Sequence, residues 1–375
     1  MQPTAPQAEH PAPRTAAGSP GSGTARLGSL DAFRGFTMFW LMGGKALALA
    51  LAALGGFEFV RYQLNHSAWE GVRYYDLIWP SFMLMVGVSI PFSFARRLLA
   101  QTRGQLLRDA WKRAAILFLL GSLRESLHDG VPRLIELSSA LQPIALAYLV
   151  TSHLAGRSVK LQIGAAVGIL AGYALLLALV GTSTIAAGSY ELNRNLVTAV
   201  DELVLGRSHR DGWGTVLSAI PAIATTVVGL LFGQVLLAGP VAVARLRVFG
   251  LTGLGCLAAG FALSPVVPII MKLWTTSYTL VATGWACVFF SVFYWAIELR
   301  GWRGWTFPFV VIGVNALAAY LLNTIIPISR IVGTFTKPLV PVLGWFGPIL
   351  ATGAVFIAGW LILFWLYRRK IFLRP

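Results

Sequence analysis

Charged residues are scarce in this sequence. Only 12% of the 375 residues are charged, whereas 57% are hydrophobic. Apolar stretches of about 20 residues recur along the chain, and that length crosses a bilayer core of roughly 30 Å. A water-soluble globular protein is therefore excluded, and the composition predicts an all-α polytopic membrane protein.

Cysteine is nearly absent, and so is an apolar secretory leader. The two cysteines, Cys256 and Cys287, lie in apolar stretches, so they neither indicate a disulfide framework nor identify the redox compartment. Residues 1–28 are rich in Pro, Ala, Gly and Ser and lack the apolar core of a signal peptide. They predict a disordered cytoplasmic tail. The remainder, residues 29–375, is predicted to be one transmembrane domain.

The apolar stretches predict about ten transmembrane helices in one bundle. Their expected positions are about 36–54, 74–94, 114–133, 137–154, 161–180, 215–237, 248–270, 278–297, 307–326 and 346–367.

Acidic residues are few: the sequence has 14 Asp and Glu residues and 30 Lys and Arg residues, which gives a formal net charge of +16. With the N-terminus inside, 19 of the basic residues fall in inside segments and nine in outside loops. The positive-inside rule then puts both termini in the cytoplasm. No soluble basic face exists for nucleic acid, which is not expected as a partner. The compact loops favour a bacterial inner membrane.

Ionisable residues inside the predicted spans are functional candidates, because burying a charge in a bilayer costs at least about 2.5 kcal/mol. Lys45 lies eleven residues past Arg34, or roughly 16 Å deeper along a helix. Arg124 and Glu125 come about ten residues into the third span. We expect Glu125 to pair with Lys45 near mid-membrane. Alternatively, a short, tilted third span leaves Arg124 and Glu125 at an interface.

The stretch 65-NHSAWEGVRYYDLIWP-80 places His66 and Asp76 on the predicted outer side, where a span begins. A neutral imidazole oriented by a carboxylate can act as a base or a nucleophile near pH 7. The alternative is structural: an incidental loop histidine, and a carboxylate favoured by the dipole of a helix N-terminus. Spacing alone leaves both open.

Other polar and aromatic residues also have two interpretations. Asn315 and Asn323, eight residues apart, share a helix face and either glue helices together or line a site. Trp274 suits an aromatic belt. Arg34, three residues after Asp31, is either a topological anchor or a phosphate ligand.

Several segments, in order, resemble the heparan-α-glucosaminide N-acetyltransferase family. They are SLDAFRG, HSAWEG followed by YDLIWPSFMLMVGVSIPFS, LWTTSY, VIGVNALAAYL and LYRRKIF. The resemblance runs with gaps from about residue 26 to 375. It implies a multi-span acyltransferase that takes acetyl from cytoplasmic acetyl-CoA and delivers it to an amino sugar on the far side of the membrane.

The resemblance also implies residue roles. The family's catalytic histidine matches His66, with Trp69, Gly71 and Asp76 at the positions around it. Asn315 matches an asparagine of the family's late block.

Adding the charge arguments gives three sets of candidates. The catalytic residues are His66 and Asp76. Donor binding is expected at arginines, because CoA carries several phosphate charges: Arg34, Arg96, Arg97 and Arg113. The substrate-binding candidates are Trp69, Lys45, Glu125, Asn315 and Trp274. No metal is expected.

The sequence departs from the family pattern at Lys45, Pro143 and Asn323. A catalytically silent homologue therefore stays as an alternative. So does a transporter in which Lys45, Arg124 and Glu125 line a path for an anionic solute. The outer loop 181–214 either binds the acceptor or is a solvated linker. A homodimer through the small residues of GLLFG and GLTGLG is possible.

Overall fold

The apolar stretches form helices because a chain in lipid must satisfy its backbone N–H and C=O groups internally. The structure is a computed structural model that describes residues 27–137, 139–209, 211–239 and 241–373. The predicted tail, up to residue 26, and the side chain of Asn323 lie outside the described residues.

The described residues contain fifteen α-helices and one two-stranded hairpin. The helices are α1 (Gly28–Phe39), α2 (Lys45–Leu54), α3 (Glu58–Gln63), α4 (Ile78–Arg97), α5 (Arg103–Asp129), α6 (Leu141–Leu154), α7 (Val159–Leu179), α8 (Leu196–Leu205), α9 (Pro221–Leu237), α10 (Ala242–Leu263), α11 (Thr276–Tyr294), α12 (Phe307–Val314), α13 (Ala316–Ile325), α14 (Ile328–Thr336) and α15 (Gly347–Arg368). The hairpin pairs β1 (Tyr190–Glu191) with β2 (Arg194–Asn195) in antiparallel register.

Seven helical segments of the described chain are long and apolar enough to cross a membrane. They are Gly28–Leu54, Tyr74–Arg97, Val159–Leu179, Leu217–Leu237, Ala242–Leu263, Thr276–Leu299 and Gly344–Arg368. An all-helical, multi-pass membrane protein is thereby confirmed. The other three predicted spans correspond to α5, which is long but polar, to α6, which has only 14 residues, and to the pair α12 and α13. The total of ten stays a prediction.

The predicted ninth span is two short helices instead of one. Helices α12 and α13 meet at Asn315, whose φ of −121° and ψ of 39° are not helical. Helix α12 runs antiparallel to α1, because Gly35 abuts the backbone of Phe309 while Gly313 abuts the backbone of Asp31. A single straight span over 307–326 would have run parallel to α1, so that prediction is wrong.

The first span also changes course. A π-helical turn over Trp40–Gly44 separates α1 from α2, and Gly43 has a φ of +142° that only glycine adopts easily. Lys45 is the first residue of α2.

Glycines let the central helices approach each other closely, as small residues do in membrane bundles. Gly87 of α4 lies against the backbone of α9, and Gly229 and Gly233 of α9 lie against the backbone of α4. The GLLFG stretch therefore packs within the chain, contrary to its predicted use in a dimer. In GLTGLG, Gly253 packs against α11, whereas a Cβ on Gly250 would meet no described atom within 4 Å.

The bundle has two chemically distinct ends. Ser29, at the start of α1, donates its N–H to Glu298 just beyond α11, and this end carries Arg34, Arg97 and Arg113. We call it the arginine end. The opposite end carries His66 and Asp76, and we call it the histidine end.

We expect Gly35→Ala to destabilise the fold, because the added Cβ would lie 1.7 Å from the carbonyl oxygen of Phe309. Overpacking of this kind costs about 1–3 kcal/mol or more. Thermal unfolding in detergent measures the loss. The matched control is Gly164→Ala in α7, where no described atom lies within 4 Å of the new Cβ. Equal melting temperatures for the two variants would contradict the close α1–α12 approach.

Candidate active site

His66 and Asp76 are brought together by a short connection across the histidine end. After α3 the chain crosses to a 3₁₀ turn over Tyr74–Leu77, which leads directly into α4. Gly71, with a φ of +98°, donates its N–H to the carbonyl of Ile269 over 2.8 Å. The side-chain oxygen of Gln63 accepts from the N–H of Tyr74 over 2.9 Å. The connection is thereby fixed at both ends.

The His66 imidazole and the Asp76 carboxylate form a direct hydrogen bond. Nδ1 of His66 lies 2.7 Å from Oδ1 of Asp76. The second oxygen, Oδ2, accepts from the backbone N–H of Ser67 at 3.2 Å and of Arg73 at 2.9 Å. The side chain of Asp76 is 0% exposed, whereas that of His66 is 36% exposed.

This arrangement fixes the proton on the neutral imidazole. An ionised carboxylate only accepts hydrogen bonds, so Nδ1 of His66 must be the donor. The lone pair is then on Nε2, the nitrogen that does not bind Asp76. Here a buried carboxylate orients a partly exposed imidazole. This arrangement suits a histidine that acts as a general base or as a nucleophile.

The backbone of Asp76 is held by a second element. The hydroxyl of Tyr278, near the start of α11, donates to the carbonyl oxygen of Asp76 over 2.6 Å. Trp274 packs edge-on against Tyr278 and against Trp79. Trp274 is only 3% exposed, so it lies in the core and does not face solvent. Through Tyr278 it supports the His66–Asp76 pair, which we call the dyad.

Two aromatic rings border the imidazole. Tyr75 lies 4.8 Å from His66 and Trp213 lies 5.3 Å away, both edge-to-face and measured between ring centroids. The ammonium of Lys45 sits 4.1 Å over the ring of Tyr75. The Lys45 side chain thus reaches the histidine end, beside the His66–Asp76 pair.

The predicted pair of Lys45 and Glu125 is not formed. Glu125 instead binds the guanidinium of its neighbour Arg124, which also lies 5.0 Å over the ring of Tyr320. Helix α5 ends at Asp129, four residues beyond Glu125. Both charges therefore lie near the end of α5, as in the alternative that puts them at an interface.

The outer loop is anchored, and Trp69 is one of its anchors. The indole Nε1 of Trp69 donates to the carbonyl of Tyr190 over 2.9 Å, and its ring lies beside Gly212. Asp201 is buried and accepts from the N–H groups of Thr215 and Val216, each at 2.8 Å. Burial raises the pKa of Asp201, although these donors favour its ionised form.

Trp213 is the site residue that sequence reasoning missed. It lies far along the chain from His66, in the stretch 211-DGWG-214 of a polar loop. The signal in the sequence was a tryptophan placed between two glycines of a loop.

The four arginines predicted to bind the donor lie at the arginine end and do not contact one another in the described contacts. Arg34 donates to Oγ of Ser89 over 2.6 Å and lies 3.7 Å from Asp31. Arg97 binds Asp109. Arg113 lies over the ring of Tyr148, and Arg96 is exposed.

Asn315 makes a structural contact. It is fully buried, its Nδ2 donates to the carbonyl of Ile371 over 3.0 Å, and its Oδ1 accepts from the N–H of Leu373 over 3.1 Å. The side chain thus ties the α12–α13 junction to the segment after α15, as expected of an amide that joins helices.

The described residues contain no group of three or more His, Cys, Asp or Glu side chains suited to a metal ion. No protein-family model matches the chain, and no curated protein matches it either. The resemblance stated above therefore stays a prediction.

We expect Asp76→Asn to lower thermal stability. The amide oxygen can keep the two backbone N–H groups only if the NH₂ group faces His66, whose proton must then move from Nδ1 to Nε2. The hydrogen bonds to a charged carboxylate are lost, and such bonds contribute about 1.5–3 kcal/mol. Asp109→Asn is the control, because the ion pair with Arg97 is partly exposed and such pairs contribute about 0–1 kcal/mol. Unfolding curves in detergent measure both. Similar shifts would argue against a tightly held Asp76 carboxylate.

Proposed function

We propose that this protein is a membrane-bound acyltransferase. In this proposal it takes acetyl from acetyl-CoA on the cytoplasmic side and transfers it to an amine or hydroxyl of a sugar on the outer side. The observation that carries the proposal is the His66–Asp76 hydrogen bond, which leaves Nε2 of a partly exposed imidazole free to act. The family resemblance supplies the donor and the class of acceptor.

Two chemical routes use the same atoms. In the first, the acceptor amine attacks the thioester carbonyl, Nε2 of His66 takes the amine proton, and the C–S bond breaks. The proton then passes to the departing CoA thiolate. In the second, Nε2 itself attacks the carbonyl and CoA leaves as the thiolate. The acceptor amine then displaces the imidazole, which takes the amine proton.

The separation of the two ends suits a long donor. Ser89, to which Arg34 donates, lies eleven residues beyond Ile78 at the start of α4, or roughly 16 Å of helix rise. We infer that the phosphates bind at the arginine end and that the thioester reaches the histidine end. This orientation puts both termini in the cytoplasm, in agreement with the positive-inside rule. A bacterial inner membrane is the location that we propose.

A transporter is supported less well. Its predicted path was lined by Lys45, Arg124 and Glu125, but Arg124 and Glu125 bind each other and Lys45 lies over Tyr75. Acyl transfer needs one activated nitrogen near the outer end, and the dyad supplies it.

The first test follows radiolabelled acetyl from acetyl-CoA, supplied outside inverted vesicles, to glucosamine trapped inside them. We expect transfer by the wild type and a loss on the order of 10²-fold or more for His66→Ala. The control His128→Ala, an exposed histidine at the end of α5, should transfer normally. Equal transfer by all three proteins would overturn the role of His66. Movement of glucosamine without acetylation would favour a transporter.

The second test addresses the donor. Arg34→Ala should weaken acetyl-CoA binding by about 10- to 100-fold, because hydrogen bonds to charged groups contribute about 1.5–3 kcal/mol. Equilibrium binding of radiolabelled acetyl-CoA to purified protein measures the change. The control is Arg61→Ala, a surface arginine at the histidine end that pairs with Glu58. Unchanged affinity for Arg34→Ala would contradict a donor site there.

A further inference from the structure

The segment of the outer loop that carries Trp213 is docked against the bundle. Arg207 binds the buried carboxylate of Glu136, and Nε2 of His209 lies 2.9 Å from the same carboxylate. Gly214 donates its N–H to the carbonyl of Lys272 over 2.9 Å. The ammonium of Lys272 donates to the carbonyl of Asp211 over 2.7 Å.

These tethers lie on both sides of Trp213. The two contacts to Glu136 precede it, and the backbone contacts that Asp201 accepts from residues 215 and 216 follow it. A solvated linker has no need of such contacts, since its backbone is satisfied by water. The indole is therefore held in one place before any ligand arrives, and preorganisation of this kind increases affinity.

Both rings that border the imidazole, Tyr75 and Trp213, are partly buried, and each has a lysine ammonium over it. Tyr75, the other ring beside His66, is covered on one face by Lys45. Trp69 is engaged with Tyr190 and Gly212, and Trp274 is buried. Trp213 is the less covered of the two bordering rings, because the ammonium of Lys272 lies 5.9 Å from its centroid, whereas that of Lys45 lies 4.1 Å from the centroid of Tyr75.

We propose that Trp213 is the stacking platform for the acceptor, an amino sugar in its pyranose form. This inference rests on the proposed function and names the residue that positions its acceptor. A pyranose ring has a face of C–H groups that packs on a flat aromatic surface, while its amine and hydroxyls stay free for polar contacts. Because the ring centroids of Trp213 and His66 are 5.3 Å apart, a sugar ring on the indole would lie beside the imidazole.

The stacking proposal predicts different effects of a Trp213 substitution on acceptor binding and on donor binding. Removal of the indole should weaken binding of the acceptor and leave binding of the donor unchanged, because the donor phosphates are expected at the opposite end of the bundle. A residue that only supports the fold would weaken both.

The experiment measures binding of radiolabelled glucosamine to the purified protein in nanodiscs, without any acyl donor, so that no turnover occurs. We expect Trp213→Ala to weaken binding by about tenfold or more, and Trp213→Phe to weaken it less. The matched control is Trp345→Ala, a tryptophan that is 73% exposed, which should bind like the wild type. A second readout is turnover, where Trp213→Phe should raise KM for glucosamine and leave KM for acetyl-CoA unchanged.

The outcomes separate this inference from the proposed function. Glucosamine binding that depends on Trp213, in a protein that transfers no acetyl, would support the subsite and overturn the acyltransferase. Wild-type protein that binds no glucosamine, or a folded Trp213→Ala that binds it normally, would overturn the subsite. If Trp213→Ala does not fold, Trp213→Phe decides through the two KM values, and equal changes in both would overturn the inference.

Discussion

The buried carboxylate of Asp76 is the interaction on which the histidine end depends. It joins two pieces of chain: the loop that carries His66 and Ser67, and the 3₁₀ turn that follows Arg73. An unpaired carboxylate would be costly at this degree of burial. Its three donors offset that cost and, in doing so, determine where α4 begins and which nitrogen of His66 bears a proton. Tyr278 extends the same arrangement to α11 through the Asp76 carbonyl.

The sequence predicted this part of the site because its members are close together in the chain. His66 and Asp76 are ten residues apart and flank the start of an apolar run, so local reasoning could pair them. The multi-pass helical fold followed from composition for the same reason, since span length and hydrophobicity are local properties. Trp213 lies in a different loop, and only the docking of that loop brings it to the imidazole.

The predictions of a Lys45–Glu125 pair and of an unbroken ninth span were wrong for one physical reason, which is the assumption that each apolar run is a straight helix. Depth was counted as rise per residue, but the π turn before Lys45 redirects the first span and brings this residue over Tyr75. The non-helical backbone of Asn315 divides the ninth run in two. Local sequence does not reveal such breaks, because they are stabilised by tertiary contacts, such as those of the Asn315 amide with the segment after α15.

The two proposed chemical routes require the same role of Asp76, but they differ in how strictly water must be excluded from the site. Positive charge develops on the ring of His66 whether it takes a proton or an acyl group, and Asp76 stabilises that charge in both cases. An acylated imidazole, however, is lost if water reaches it before the acceptor does. The rings of Tyr75 and Trp213 cover two sides of the imidazole, and an acceptor stacked on Trp213 would cover part of what remains. The residue that positions the acceptor would thus also exclude water, so acceptor binding and protection of an acyl intermediate would be coupled at this site.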